Sequence, residues 1–96
     1  MLNKIQFFKF TPTAEMRKYA DAVTFKILED SPSDSNLFLR FIQTLEGVAV
    51  GISLASNQLR MSHWAMAPTS FAALDKVVGK VEQQLFEWRA VRQLLR

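Results

Sequence analysis

The chain has 96 residues, 49% of them apolar and 22% charged, which is the balance of one small folding domain over 1–96 and not of a disordered segment. It holds no cysteine, so disulfides, thiolate metal sites and cysteine nucleophiles are excluded, and a reducing compartment suits it. Twelve Lys and Arg against nine Asp and Glu leave a net charge of +3, too small a bias to diagnose nucleic-acid binding by itself.

Along the chain that charge is uneven. Residues 1–50 carry six basic and six acidic groups, and residues 51–87 carry three of each. The last nine residues hold Arg89, Arg92 and Arg96 with no acid. In linear order, then, the excess falls at the C-terminus. Lys4 and Lys9 cut the apolar residues of the opening MLNKIQFFKF into pieces, leaving no signal-peptide core. The longest largely apolar stretch, Gly47 to Ala55, is far shorter than the ~20 residues that a spanning helix needs. The expectation is a soluble, cytoplasmic protein without a membrane partner.

Ile5 to Phe10 is short, aromatic-rich and stopped by Thr11-Pro12, the pattern of a strand. Thr13 offers a hydroxyl N-cap for a helix whose Met16, Ala20, Val23 and Ile27 recur at helical spacing, with Tyr19 at the edge of the stripe. The segment from Asp30 to Ser35 breaks that helix. Leu37 to Thr44 reads as a second strand, and Glu46-Gly47 as a turn. Val48, Val50, Ile52 and Leu54 then alternate with smaller residues, a period of two that marks a strand with one apolar face. After Asn57-Gln58, Leu59 to Met66 alternates again as a fourth strand.

Thr69 caps a long final helix with Phe71, Leu74, Val78, Val81, Leu85 and Trp88 at steps of three and four. The order is β-α-β-β-β-α, an α+β fold. Its two amphipathic helices are expected to cover the same face of a four-stranded sheet. From Ser70 to Arg96 the helix would run about 40 Å, against about 26 Å for eight-residue strands. Its apolar stripe turns basic past Trp88, where the sheet runs out.

Little of the sequence carries reaction chemistry. His63 is the lone histidine and has no second His or Cys as partner, which favours a structural imidazole over a metal ligand or general base. Gly47, Gly51 and Gly79 form no phosphate-cradling loop. No enzyme activity, cofactor or small-molecule substrate is expected. Phe7, Phe8, Phe10, Phe38, Phe41 and Trp64 lie on or beside strands, where some RNA-binding sheets display stacking platforms. The signature octamer of such sheets is missing, and half of these rings belong to the core if helices cover one face. Phe25, Phe86 and Leu94 fall off the apolar stripes of their helices and are candidates for a protein interface, including self-association through the helices. Arg17, Lys18 and Lys26 on the first helix, and Lys76, Lys80, Arg89, Arg92 and Arg96 on the last, form either a solvated face or a phosphate-binding one.

The final helix favours the second reading. Phe71-Ala72-Ala73-Leu74-Asp75 and Lys80-Val81-Glu82-Gln83-Gln84-Leu85 resemble, in order and spacing, the last helix of the ribosome hibernation-promoting factors, also called protein Y or the sigma-54 modulation protein family. The first helix is similar to that family's too, in its Thr13 cap, the Met16-Arg17 pair and Lys26-Ile27. The resemblance implies the same fold and a protein of the small ribosomal subunit. Such a protein sits in the channel of messenger and transfer RNA and blocks translation under stress or in stationary phase, through Lys and Arg contacts to rRNA phosphates. Arg17, Lys26, Lys80 and Arg89 match the family's basic sites by position. Lys18, Lys76, Arg92 and Arg96 are added from charge and placement. The chain departs from the family where basic residues usually follow Lys80: here stand Gln83, Phe86 and Glu87. Fewer phosphate contacts mean weaker, less salt-dependent binding, and the alternative is a divergent member acting as a protein-interaction module.

Overall fold

A computed structural model describes residues 2–94. The elements are β1 (Leu2–Phe8), α1 (Ala14–Glu29), β2 (Asn36–Thr44), β3 (Gly47–Ala55), β4 (Arg60–Ala67) and α2 (Ser70–Leu94). The strands form one sheet in the order β1-β2-β3-β4. β1 pairs parallel with β2, which leaves room for α1 as the crossover, while β2, β3 and β4 run antiparallel through tight turns. This is the α+β architecture that the periodicities imply.

Each helix starts where its hydroxyl cap stands. Thr13 Oγ1 accepts from Met16 N at 3.1 Å, and Thr69 Oγ1 from Ala72 N at 3.2 Å. β1 ends two residues earlier than its aromatic run suggests. Lys9 takes a left-handed conformation (φ 52) and turns the chain away from the sheet. Phe10 then folds back onto the core, stacked 5.9 Å from Phe41 and 5.8 Å from Phe7. At the β2–β3 turn, Gly47 has φ 147, and a Cβ there would lie 2.5 Å from the Ala67 carbonyl oxygen. Only glycine fits that position.

The core lies between the sheet and the two helices. Leu37, Leu39 and Phe41 of β2 and Val48, Val50, Ile52 and Leu54 of β3 are buried beneath Met16, Ala20 and Ile27 of α1 and a stripe of α2. That stripe differs from the one the spacing favours. Ala73 and Val77 take the central positions beside Leu74, Val81 and Leu85, and Val78 is only half-buried. Phe71 is rotated outward and packs at 5.5 Å on Tyr19 of α1. Small residues at 73 and 77 let α2 lie close on β3 and β4, which turns the bulkier positions 71 and 78 aside.

α2 outruns the sheet, as its length requires. Its 25 residues extend about 37 Å, whereas the nine residues of β2 or β3 span about 30 Å. Burial stops at Leu85, Trp88 is half-buried, and the turn from Val91 to Leu94 is exposed.

Candidate nucleic-acid interface

The basic residues of the helices divide into separate groups. Lys76 and Lys80 lie on the flank of α2 nearest β4. Their ammonium groups donate to the backbone carbonyls of Met66 (3.3 Å) and Trp64 (2.8 Å), respectively. β4 is an edge strand, so these lysines also occupy acceptors that would otherwise invite another strand. Lys26 and Arg89 meet at the junction of the helices around one carboxylate: Arg89 Nη1 is 3.3 Å from Asp30 Oδ1, and Lys26 Nζ is 4.0 Å from Asp30 Oδ2. Arg17 is exposed near β1 with its guanidinium 5.5 Å from the Phe7 ring. Lys18 is exposed on α1. Arg92 stands on the projecting turn of α2, 5.0 Å over the Trp88 ring, and Arg96 lies outside the described residues.

Acidic groups are interleaved with these cations. Besides Asp30, Asp75 accepts a hydrogen bond from the Tyr19 hydroxyl across the helix pair. That bond, with partial burial and the charges of Asp75 and Glu82, raises the Tyr19 pKa above its ordinary 10.0. Glu87 accepts from Gln83 Nε2 at 3.4 Å. A phosphate approaching the helices therefore meets mixed charge. Phe25, Phe86 and Leu94 are exposed, as their positions off the stripes imply. Phe25 lines a cavity with Asn3, Leu28 and Glu29 beside β1.

His63 faces the helices from β4. Its Nε2 donates to Gln84 Oε1 at 2.6 Å and ties strand to helix, the structural role that its isolation in the sequence favours. Among the described residues no three of His, Cys, Asp or Glu gather in a way that would hold a metal ion.

Among the described residues no layer covers the other side of the sheet. The strand register places Lys4, Phe38, Ser53 and Ser62 in one row across it; Gln6, Arg40, Gly51 and Trp64 form the next, and Phe8, Ile42, Ala49 and Met66 the third. Trp64 lies flat on Gly51, where a Cβ would come within 2.6–2.8 Å of the indole ring. The Arg40 guanidinium sits 5.3 Å from the Phe38 ring and 5.5 Å from that of Phe8, and Lys4 Nζ 5.7 Å from Phe38. The aromatic residues thus split evenly: Phe7, Phe10 and Phe41 stack in the core, while Phe8, Phe38 and Trp64 line the open face. Half of the six rings belong to the core, as a sheet covered on one face requires; the pairing register decides which half. The signal that marks the open half is the even-numbered set of β4, Arg60, Ser62, Trp64 and Met66, together with a glycine in mid-strand at 51.

No protein-family model matches the chain, and no curated protein sequence does so. Solved structures do match. The Protein Y N-terminal domain of Thermus thermophilus superposes with a TM-score of 0.73 at 13% identity, over 88% of this chain and 96% of that one. A ribosomal subunit interface protein from Coxiella burnetii superposes with a TM-score of 0.73 at 17% identity, over 94% of this chain and 99% of that one. The chain is thus similar in fold, over nearly its whole length, to proteins of the kind that its last helix resembles in sequence.

Proposed function

We propose that this chain is a non-enzymatic, cytoplasmic ribosome-binding protein of the hibernation-promoting type. It would occupy the channel of messenger and transfer RNA on the small subunit and inhibit translation when growth stops. The carrying observation is the coincidence of two independent likenesses: the fold matches the Protein Y N-terminal domain over 88% of this chain, and Phe71 to Asp75 and Lys80 to Leu85 resemble the last helix of the same family. Exposed cations on the helices supply the chemistry. Arg17, Lys18 and Arg92, with Lys26, Lys76, Lys80 and Arg89 once they exchange their protein partners for phosphate, would hold rRNA by shape and charge. Arg96 is included on sequence alone.

Pelleting with purified small subunits over a range of salt tests this reading. Retention in the ribosomal pellet at low salt, lost as salt rises, is expected. A double substitution of Lys80 and Arg89 to Ala should flatten the salt dependence by roughly one to two phosphate contacts. Failure to pellet with subunits even at low salt overturns the proposal.

A second reading rests on Gln83, Phe86 and Glu87, which stand where the family usually places basic residues, and on the exposure of Phe86 and Leu94. In it the chain binds RNA weakly and assembles through its helices. Sedimentation separates the two: a monomer at every concentration overturns the second.

A further inference from the structure

We propose that the open face of the sheet is a binding site for single-stranded RNA, with bases stacking on Trp64 and Phe38 and phosphates meeting Lys4, Arg40 and Arg60. Charge is the first ground. The four strands carry Lys4, Arg40 and Arg60 and not one Asp or Glu. Nine of the twelve basic residues remain elsewhere in the chain, against all nine acidic ones. The strands thus carry a charge of +3 with no acid among them, as large as the formal excess of the whole chain, and it complements a polyanion and not a second copy of the same surface.

Ring presentation is the second ground. Trp64 is 46% exposed although its indole lies against the Gly51 backbone, so one π-face is supported by the sheet and the other is open to a ligand. Phe38, Arg40, Gly51, Ser53 and Trp64 line a shallow cavity of about 260 Å³, the scale of a single nucleobase with its sugar. Phe38 and Trp64 lie two strands apart, about 10 Å, a separation suited to splayed bases and not to a continuous duplex stack. Arg40 already lies over two rings, and its Nε is buried with no hydrogen-bond partner. Two hydroxyls favour RNA as the occupant: Ser53 Oγ and Ser62 Oγ lie 3.3 Å apart in the row beside Trp64, a donor–acceptor pair suited to a ribose 2′-OH.

This site lies on the side of the sheet opposite the helices, and its test needs no ribosome, so it stands or falls apart from the function proposed above. The probe is a single-stranded oligouridylate of about eight nucleotides, titrated against the Trp88→Phe variant so that Trp64 alone reports. Quenching of Trp64 is expected. Trp64→Ala and Phe38→Ala, followed by anisotropy of labelled RNA, should each weaken binding about tenfold. Gly51→Ala, which lifts the indole off the sheet, should weaken binding while circular dichroism and thermal melting remain those of a folded chain. The salt slope should be near −2, for three phosphate contacts to a single strand. Four results overturn the proposal: no quenching, unchanged affinity in both aromatic variants, equal binding of the matching oligodeoxyuridylate, or self-association that alone accounts for the quenching.

Discussion

The two sides of the sheet differ in how charge is arranged. On the helix side cations and carboxylates are interleaved. Asp30 holds both Arg89 and Lys26, Asp75 holds the Tyr19 hydroxyl, and Lys76 and Lys80 are turned onto the carbonyls of β4. On the open side Lys4 and Arg40 lie against aromatic rings, Arg60 shares their face, and no strand carries a carboxylate. A net charge of +3 is small for the molecule and substantial for one face of a small sheet. For RNA binding the local balance matters, because a phosphate feels charges within about a Debye length of 8–10 Å.

The largest effect that sharpens this contrast is on stability. Leu39 and Phe38 are chain neighbours on opposite sides of β2, one fully buried and the other partly open. Leu39→Ala should cost about 3 kcal/mol in denaturant unfolding, the transfer and cavity terms of a core leucine. Phe38→Ala should cost under about 1 kcal/mol. Equal losses would mean that the open face is covered in solution. Next in size is Gly47→Ala, which forces a Cβ onto the Ala67 carbonyl in a left-handed backbone. A loss of about 1–3 kcal/mol is expected, with the β2–β3 hairpin register as its casualty.

A smaller, functional effect separates balanced from unbalanced charge. Asp30→Asn removes the carboxylate shared by Arg89 and Lys26 and frees both cations. Pelleting with small subunits should then strengthen, and its salt slope should steepen by roughly one contact. Oligouridylate binding on the open face should not change. Strengthened oligouridylate binding would show that the two sides act as one electrostatic surface.

The smallest effect is alkaline. Because the folded-state pKa of Tyr19 is raised above 10.0, the tyrosine keeps its proton in the folded chain when the unfolded chain has lost it. Its contribution to stability is full below the unfolded value and is lost as pH rises through the folded one. Tyr19→Phe should be indifferent to pH there, so the stability gap between wild type and variant should narrow from about pH 9 to about pH 11, measured by urea unfolding. A constant gap would mean that Asp75 does not hold the hydroxyl in solution.

Much of the molecule was legible before folding, in particular places. The alternation from Val48 to Leu54 identifies β3 and its buried side, since a period of two admits one reading. Thr13 and Thr69 mark both helix starts because a hydroxyl there satisfies backbone N–H groups that nothing else reaches. His63 reads correctly as structural, although its partner Gln84 lies 21 positions away and no local pattern names it. The limits of local pattern are just as particular. β1 stops at Phe8 because Lys9 takes a left-handed turn, which no side-chain periodicity encodes. The stripe of α2 turns onto Ala73 and Val77 because the depth of the groove above β3 and β4, and not residue hydrophobicity alone, selects what fits.

Element order, caps, the core side of β3 and the overhang of α2 follow from the sequence by itself, since each depends on residues close together along the chain. Strand order, the pairing of Asp30 with Arg89, and the placing of charge belong to the tertiary structure. By linear position the excess falls on the last nine residues. In three dimensions Arg89 is paired with a carboxylate from the end of α1, while Lys4, Arg40 and Arg60, 20 to 56 residues apart in sequence, share one face of a sheet whose strands carry no carboxylate. Hydrogen-bonded strands bring together what chain distance separates, and electrostatics acts on the assembled surface.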